Sequence, residues 1–348
     1  MNLSVLFFGA DDASTDNGHR EAYDRVLRVA SAADADGYHA VWLPERHFQQ
    51  IGQAFSSPAV LAAALAVTTR RIQLRAGSVV LPLHHPLRIV EDWAIVDNLS
   101  GGRAGISLAT GWHSKDFVLA PDRYDDRRDR VAAAVPLLRG LWGGDTMTLP
   151  DGAGAKATVA PGPRPISSTL PLWLTTSGNP ATWEQAGRLG VNVLAATMGQ
   201  TRAELAGKIR RYRQAYRDTG TGPGTVTLMA HTYAGADDDT ALRIAGPPLR
   251  RYLRSYLGQL ATNGDPATPA VDSLPEAQLD RLVELALRRY VDWGSLIGSP
   301  ETCARSLADL ANIGCDEVAC FVDFGIPIDE ILAGLRRIAP ATVEVDQT

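Results

Sequence analysis

Five short runs carry the side chains that could do chemistry. Glu45-Arg46-His47 ends an apolar stretch, Gly77-Ser78 lies inside another, and His84-His85 follows it. Thr110-Gly111-Trp112-His113 and Thr176-Ser177-Gly178-Asn179 each close a further β-rich stretch. His47 and His113 offer imidazoles able to hold or move a proton near neutral pH. Arg46 can stabilise a developing anion or pair with an acidic neighbour. The run Ser177-Gly178-Asn179-Pro180-Ala181-Thr182 stands where a strand gives way to a helix. Its small residues admit a ligand close to the backbone, and a helix N-terminus there would favour a phosphate. The same run also suits a plain Asn-capped turn. Arg127 and Arg128 could add a planar fork to such a phosphate, or belong to the solvated charged face of residues 122–130.

Other chemistries find less support. His47, His84, His85 and His113 match no zinc spacing, and Asp and Glu do not cluster at the strand ends in the way a hydrolytic metal site needs. His85 precedes Pro86, which places it in the extended lead-in to a helix. Gly-x-Ser-x-Gly and the Walker phosphate loop do not occur, which leaves serine hydrolases and P-loop NTPases unsupported.

The elements that must position these groups alternate. β-rich runs are read at 3–9, 40–44, 72–81, 104–110, 172–176, 192–196, 225–233 and 317–322. The early ones are continuous apolar runs, as parallel strands covered on both faces require. Between them Tyr23, Val26, Leu27, Ala30 and Ala33 keep a helical period, as do Val60, Leu61, Ala64, Leu65 and Thr68, and Val131, Val135, Leu138 and Trp142. Ser57-Pro58, Asn179-Pro180 and Ser299-Pro300 read as helix starts, and Thr201 with Glu204 as a capping box. Eight such units predict an α/β fold, a (β/α)8 TIM barrel, with active residues at the strand C-termini. A doubly wound sheet would want a Gly-rich turn after the first strand, but Gly9 is followed by Ala10, Asp11 and Asp12. A bare barrel needs about 250 residues. The surplus in this chain of 348 is expected as inserts near 143–165 and 236–298 of one domain spanning 1–348.

Composition narrows the class. With 45% hydrophobic and 21% charged residues the chain is neither disordered nor fibrous. A net charge of −5 leaves no footprint for nucleic acid. Cys303, Cys315 and Cys320 are too few for a disulfide framework and fit a reducing compartment. The apolar N-terminus has no basic leader and no stretch is long enough to span a membrane, so a cytoplasmic protein is expected.

Several runs together resemble the bacterial-luciferase-like flavin monooxygenases, in the branch associated with polyketide and nonribosomal peptide assembly lines. They are residues 41–48 (Val-Trp-Leu-Pro-Glu-Arg-His-Phe), 76–88, 91–103, 109–117, 177–190 and 297–303. The resemblance implies a luciferase-like TIM barrel binding reduced FMN (FMNH2), with O2 as co-substrate. The flavin phosphate would lie near Ser177, Gly178 and Thr182, with Thr176 at the same strand end and Arg128 or Arg127 as the family's arginine. Thr110, Gly111 and Trp112 would line the flavin. A non-proline cis peptide beneath the ring would fall at Gly77–Ser78. Luciferases proper carry two histidines after the glutamate; here Arg46 takes the first place and His47 the second.

The implied activity is a two-component monooxygenase of natural-product (antibiotic) biosynthesis. It would work through a C4a-(hydro)peroxyflavin, by hydroxylation or by Baeyer–Villiger insertion. His47 would hold a proton or orient the substrate, with Arg46 and His113 beside it. A separate NAD(P)H:flavin reductase would supply FMNH2. The substrate would be a small molecule, free or tethered to a carrier protein, and the assembly a homodimer or homotetramer. The alternatives are an F420-dependent oxidoreductase on the same barrel, a noncatalytic flavin-binding accessory protein and, third, a metal hydrolase.

Overall fold

The computed structural model describes residues 1–9, 18–48, 54–111, 113–176, 178–219, 222–262 and 275–339, without the side chains of 258–262. Trp112, Ser177 and most of the 263–275 loop lie outside the described residues. Eight parallel strands close into a barrel: β1 (Asn2–Leu6), β2 (Ala40–Leu43), β3 (Gln73–Val80), β4 (Ala104–Ala109), β7 (Leu172–Thr176), β8 (Asn192–Ala196), β9 (Val226–Ala234) and β11 (Glu317–Phe321). Each pairs with the next, and β11 pairs back onto β1. This is the expected (β/α)8 TIM barrel. Between β4 and β7, β5 (Met147–Pro150) and β6 (Lys156–Val159) form an antiparallel hairpin. A strand the sequence did not reveal, β10 (Leu296–Gly298), pairs with the outer end of β9 at Thr232–Ala234.

The helices are α1 (Gly18–Ala35), α2 (Pro58–Thr68), α3 (Pro86–Ser100), α4 (Arg127–Gly143), α5 (Pro180–Arg188), α6 (Arg202–Arg217), α7 (Asp238–Thr262), α8 (Glu276–Asp292), α9 (Pro300–Asn312) and α10 (Ile328–Ile338). Their starts follow local chemistry. Asn179 accepts from the Ala181 amide at 3.0 Å, and Ser299 from the Thr302 amide at 3.2 Å. Thr201 and Glu204 form a reciprocal capping box. Ser57 caps α2 through its backbone alone, ahead of Pro58. His85 has the extended backbone expected before Pro86, and its Nδ1 accepts from the Leu87 amide. Among the described residues no helix is long and apolar enough to cross a membrane.

Strands buried on both faces explain the apolar runs: every residue of β2 and of β11 is buried. Toward the strand N-termini the barrel interior is filled by a paired charge. Arg75 Nη1 donates to both oxygens of Glu317 at 3.0 and 2.8 Å, and Nη2 meets His39 Nε2 at 2.9 Å. Ser4 and Trp42 Nε1 also donate to Glu317. The guanidinium lies over the rings of Trp42 and Trp173.

Three sequence expectations are corrected. β1 stops at Leu6 rather than Gly9, because the Asp323 carboxylate captures the amides of Phe8 (2.8 Å) and Gly9 (2.7 Å). On α2 the buried residues are Pro58, Ala62, Leu65 and Ala66, while Val60 is 68% exposed. That helix is apolar nearly all round, so its pattern selects no face. On α1, Tyr23 and Leu27 likewise lie toward solvent and Val29 points inward.

Candidate active site

A cavity of about 400 Å³ opens at the C-terminal rim of the barrel. That is the size class of a cofactor or substrate pocket. The sequence runs converge on it: Glu45, Arg46, His47, Gly77, Ser78, Thr110, Gly111, His113, Thr176, Asn179 and Thr182 all line its wall.

One end sits against the N-terminus of α5. Thr176, at the tip of β7, is buried, and its Oγ1 has no hydrogen-bond partner among the described residues. Thr182 in the first turn of α5 and Arg128 in the first turn of α4 face the same space. A Cβ built on Gly178 would meet nothing within 4 Å, so this backbone is open to approach. The choice between the two adjacent arginines is made by Tyr124. Arg127 donates to the Tyr124 carbonyl at 2.5 Å, lies 4.0 Å over its ring and does not line the cavity.

The floor is closely packed from beneath. The Gly77–Ser78 peptide is cis, and a Cβ on Gly77 would stand 3.2 Å from Trp42. Ser78 and Ser107 both engage the Thr175 hydroxyl, which fixes their side chains. Gly111 has φ +78°, and a Cβ there would come within 2.8 Å of Phe117. Any other residue at 111 would both strain the backbone and invade the cavity wall.

Glu45 organises the histidines. Its Oε1 accepts from His47 Nε2 at 2.8 Å and from His84 Nε2 at 2.7 Å, and its Oε2 accepts from the Val80 amide at 2.8 Å. Burial alone would push this carboxyl up, but the hydrogen bonds of His47 and His84 outweigh it and hold Glu45 below its ordinary value. With Nε2–H given to Glu45, a neutral His47 has Nδ1 left as an acceptor. His113 is buried and also lines the cavity, at the start of the turn that carries buried Asp116. Among the described residues no group of three His, Cys, Asp or Glu side chains is placed to hold a metal.

The other end was not legible in the sequence. His231 on β9, Phe321 at the end of β11, Tyr252 and Tyr256 on α7 and Tyr290 on α8 complete the wall. His231 is wholly enclosed, 4.1 Å from the Phe321 ring and 4.5 Å from the Tyr252 ring. Burial lowers its pKa to about 3, so it is neutral at any working pH. The available signal was one histidine inside the β-rich run 225–233. The helical tyrosines carried none, since periodicity does not say which strand end a helix overlies.

A closed parallel barrel with its pocket at the strand C-termini and an anion-favouring helix start beside it defines a TIM-barrel enzyme architecture. The chain belongs to the luciferase-like monooxygenases, a family of flavin-dependent oxygenating enzymes: the family's sequence model matches residues 1–317. A relative is the oxygenase component of the flavin-dependent trigonelline monooxygenase of Acinetobacter baylyi, 25% identical over 96% of this chain and 92% of that one. Among solved structures, the monooxygenase RslO1 from Streptomyces bottropensis superposes with a TM-score of 0.79 at 23% identity, covering 97% and 98% of the two chains. The FMN complex of the oxygenating constituent of 3,6-diketocamphane monooxygenase from Pseudomonas putida gives 0.76 at 17%, covering 97% and 96%. An F420-dependent secondary alcohol dehydrogenase shares the fold at 0.69 and 15%, covering 97% of each chain.

Proposed function

We propose that the protein is the oxygenase component of a two-component monooxygenase that binds reduced FMN and adds one oxygen atom of O2 to a natural-product intermediate. The observation that carries this reading is the polarity of one continuous cavity. Its α5 end offers Arg128, Thr176 and Thr182, and its far end is aromatic with His47 between. The residues present fit the mononucleotide. Thr176 has a buried hydroxyl with no partner among the described residues, and the open backbone at Gly178 leaves room beside it.

Reduced flavin, when bound, supplies the electrons that activate O2. The chain's own residues have four tasks. Arg128, the hydroxyls of Thr176 and Thr182, and the start of α5 bind the phosphate. Ser78, Thr110 and Gly111 bound the ring site, with Ser177, Gly178 and Trp112 as further contacts. Tyr252, Tyr256 and Tyr290 roof the far end and exclude water, which would otherwise divert the oxidant. His47 holds a proton at Nδ1 or orients the substrate, fixed by the bond from its Nε2 to Glu45. His113 stands as a second proton-handling group. Hydroxylation and oxygen insertion both use this arrangement. A separate NAD(P)H:flavin reductase as electron source is supported by the relative named as an oxygenase component. We include in the proposal one barrel domain with α7 and α8 as its cover, a homodimeric or homotetrameric assembly, and a substrate either free or carrier-bound.

The test is spectral titration of the full chain with FMN and with F420, followed by oxygen uptake with reduced FMN and candidate substrates. The reading expects FMN binding and substrate-dependent oxygenation. In His47→Ala, substrate oxygenation falls about a hundredfold or more while FMN still binds. Selective F420 binding would favour hydride transfer and overturn it. Flavin binding without oxygenation of any substrate would favour an accessory protein.

A further inference from the structure

Arg46 is a buried cation with no carboxylate in ion-pair contact among the described residues. Its side chain is only 9% exposed and lines the cavity. Its guanidinium carbon lies over the Phe8 ring, 3.5 Å from the centroid. It makes no side-chain hydrogen bond and no ion pair within 4 Å among the described residues, and its Nε is buried without a partner. Asp323 and Asp116 act on it only from beyond contact distance, and the Asp323 carboxylate is occupied by the amides of Phe8 and Gly9. A buried guanidinium left this way is costly unless something else completes it.

A second donor stands on the same aromatic wall. The Tyr290 hydroxyl accepts from the His231 amide at 3.1 Å and lies 3.0 Å from His231 Nδ1. The Tyr290 hydroxyl can donate its own proton to Nδ1, and in that tautomer the ring proton of the neutral His231 sits on Nε2. That Nε2–H has no partner among the described residues. Phe8 and Phe321 join the two donors: Phe8 carries Arg46, lies 5.1 Å from Phe321, and Phe321 packs on His231.

We propose that Arg46, with the Nε2–H of His231, forms the substrate-recognition subsite, and that the substrate is planar and unsaturated with an anionic oxygen. This rests on the reading of the cavity as a flavin-and-substrate site. The anionic oxygen supplies the acceptor that both donors lack, and the flat body meets the faces of Phe8, Tyr252 and Phe321. A carboxylate and an ionised phenol or enol share this chemistry.

The test is calorimetric titration of the FMN-loaded full chain with naphthoate, its neutral amide naphthamide, and a nitrophenolate kept ionised. One of the two anions binds about tenfold or more tightly than the amide, and which of them does so identifies the source of the oxygen. Arg46→Met abolishes the preference, as does Arg46→Gln should the first variant not fold, and Arg46→Lys keeps part of it. His231→Phe keeps the aromatic wall and weakens the anion by a smaller factor, about threefold. Equal affinity for anion and amide, no binding of either anion, or a preference that survives Arg46→Met overturns the proposal. FMN loading is measured separately. Its absence in the wild type defeats the flavin reading and leaves the anion preference measurable on the unloaded chain.

Discussion

Arg75 and Arg46 are both buried in the barrel, both lie on aromatic rings, and differ in everything else. Arg75, near the strand N-termini, is matched by two oxygens of Glu317, by His39 and by two tryptophans. Arg46, at the C-terminal rim, has Phe8 beneath it and no carboxylate within ion-pair distance among the described residues. A charge satisfied by its own fold is part of the scaffold. A charge the fold leaves unsatisfied, at the mouth of a cavity, waits for a ligand. The same contrast separates Ser4, whose hydroxyl is bound to Glu317, from Thr176, whose hydroxyl has no partner among the described residues.

Removing one half of the interior pair gives the largest effect. Arg75→Met leaves Glu317 buried and uncompensated, and should cost about 3–5 kcal/mol in urea unfolding. A loss below about 1 kcal/mol would break the contrast by making Arg75 as dispensable as a surface arginine.

The two ends also respond to opposite pH directions. Burial would push the Glu317 carboxyl up, but Arg75, Ser4 and His39 outweigh it and hold Glu317 below its ordinary value. Its contribution is present above the ordinary carboxylate range and is lost as pH falls through the lowered value. At the rim, burial lowers His84, but the hydrogen bond and charge of Glu45 outweigh that and raise it. Its contribution is complete below the ordinary imidazole value and is lost as pH rises through the raised one. Unfolding midpoints across pH should therefore fall on both sides. Glu45→Gln should flatten the slope on the neutral side and remove the share of the acid one that belongs to Glu45, leaving the share of Glu317. A neutral-side slope unchanged in that variant would remove His84 from the account.

The smallest stability effect is expected at the rim. Arg46→Met deletes an unmatched buried cation, so unfolding should shift by no more than about 1 kcal/mol, in either direction. A loss of several kcal/mol would show that Arg46 belongs with Arg75 as scaffold.

How much of this could be read from residues alone follows the same division. The barrel was legible because parallel strands buried on both faces must be apolar without interruption, as in Ala40-Val-Trp-Leu43. Helix starts were legible where capping chemistry is local, as at Asn179 and Thr201. The convergence of Glu45-Arg46-His47 with Gly111 and Thr182 followed once the barrel was assumed, since strand C-termini share one rim. Three features needed coordinates. Glu45 proved to hold His84 as well as His47, a contact across 39 positions. Arg127 and Arg128 could not be told apart until Tyr124 was seen to take the first. The His231–Tyr290 pair joins a strand to a helix 59 residues away, and no local pattern encodes that distance.

The central claim is that one cavity holds a flavin nucleotide by its phosphate at the start of α5. Equilibrium titration of FMN into the wild type and into Thr182→Trp, with unfolding followed in parallel, tests it most directly. Saturable binding that weakens about tenfold or more in the variant, with an unchanged unfolding midpoint, is the predicted result. Equal affinity in the two proteins would contradict it.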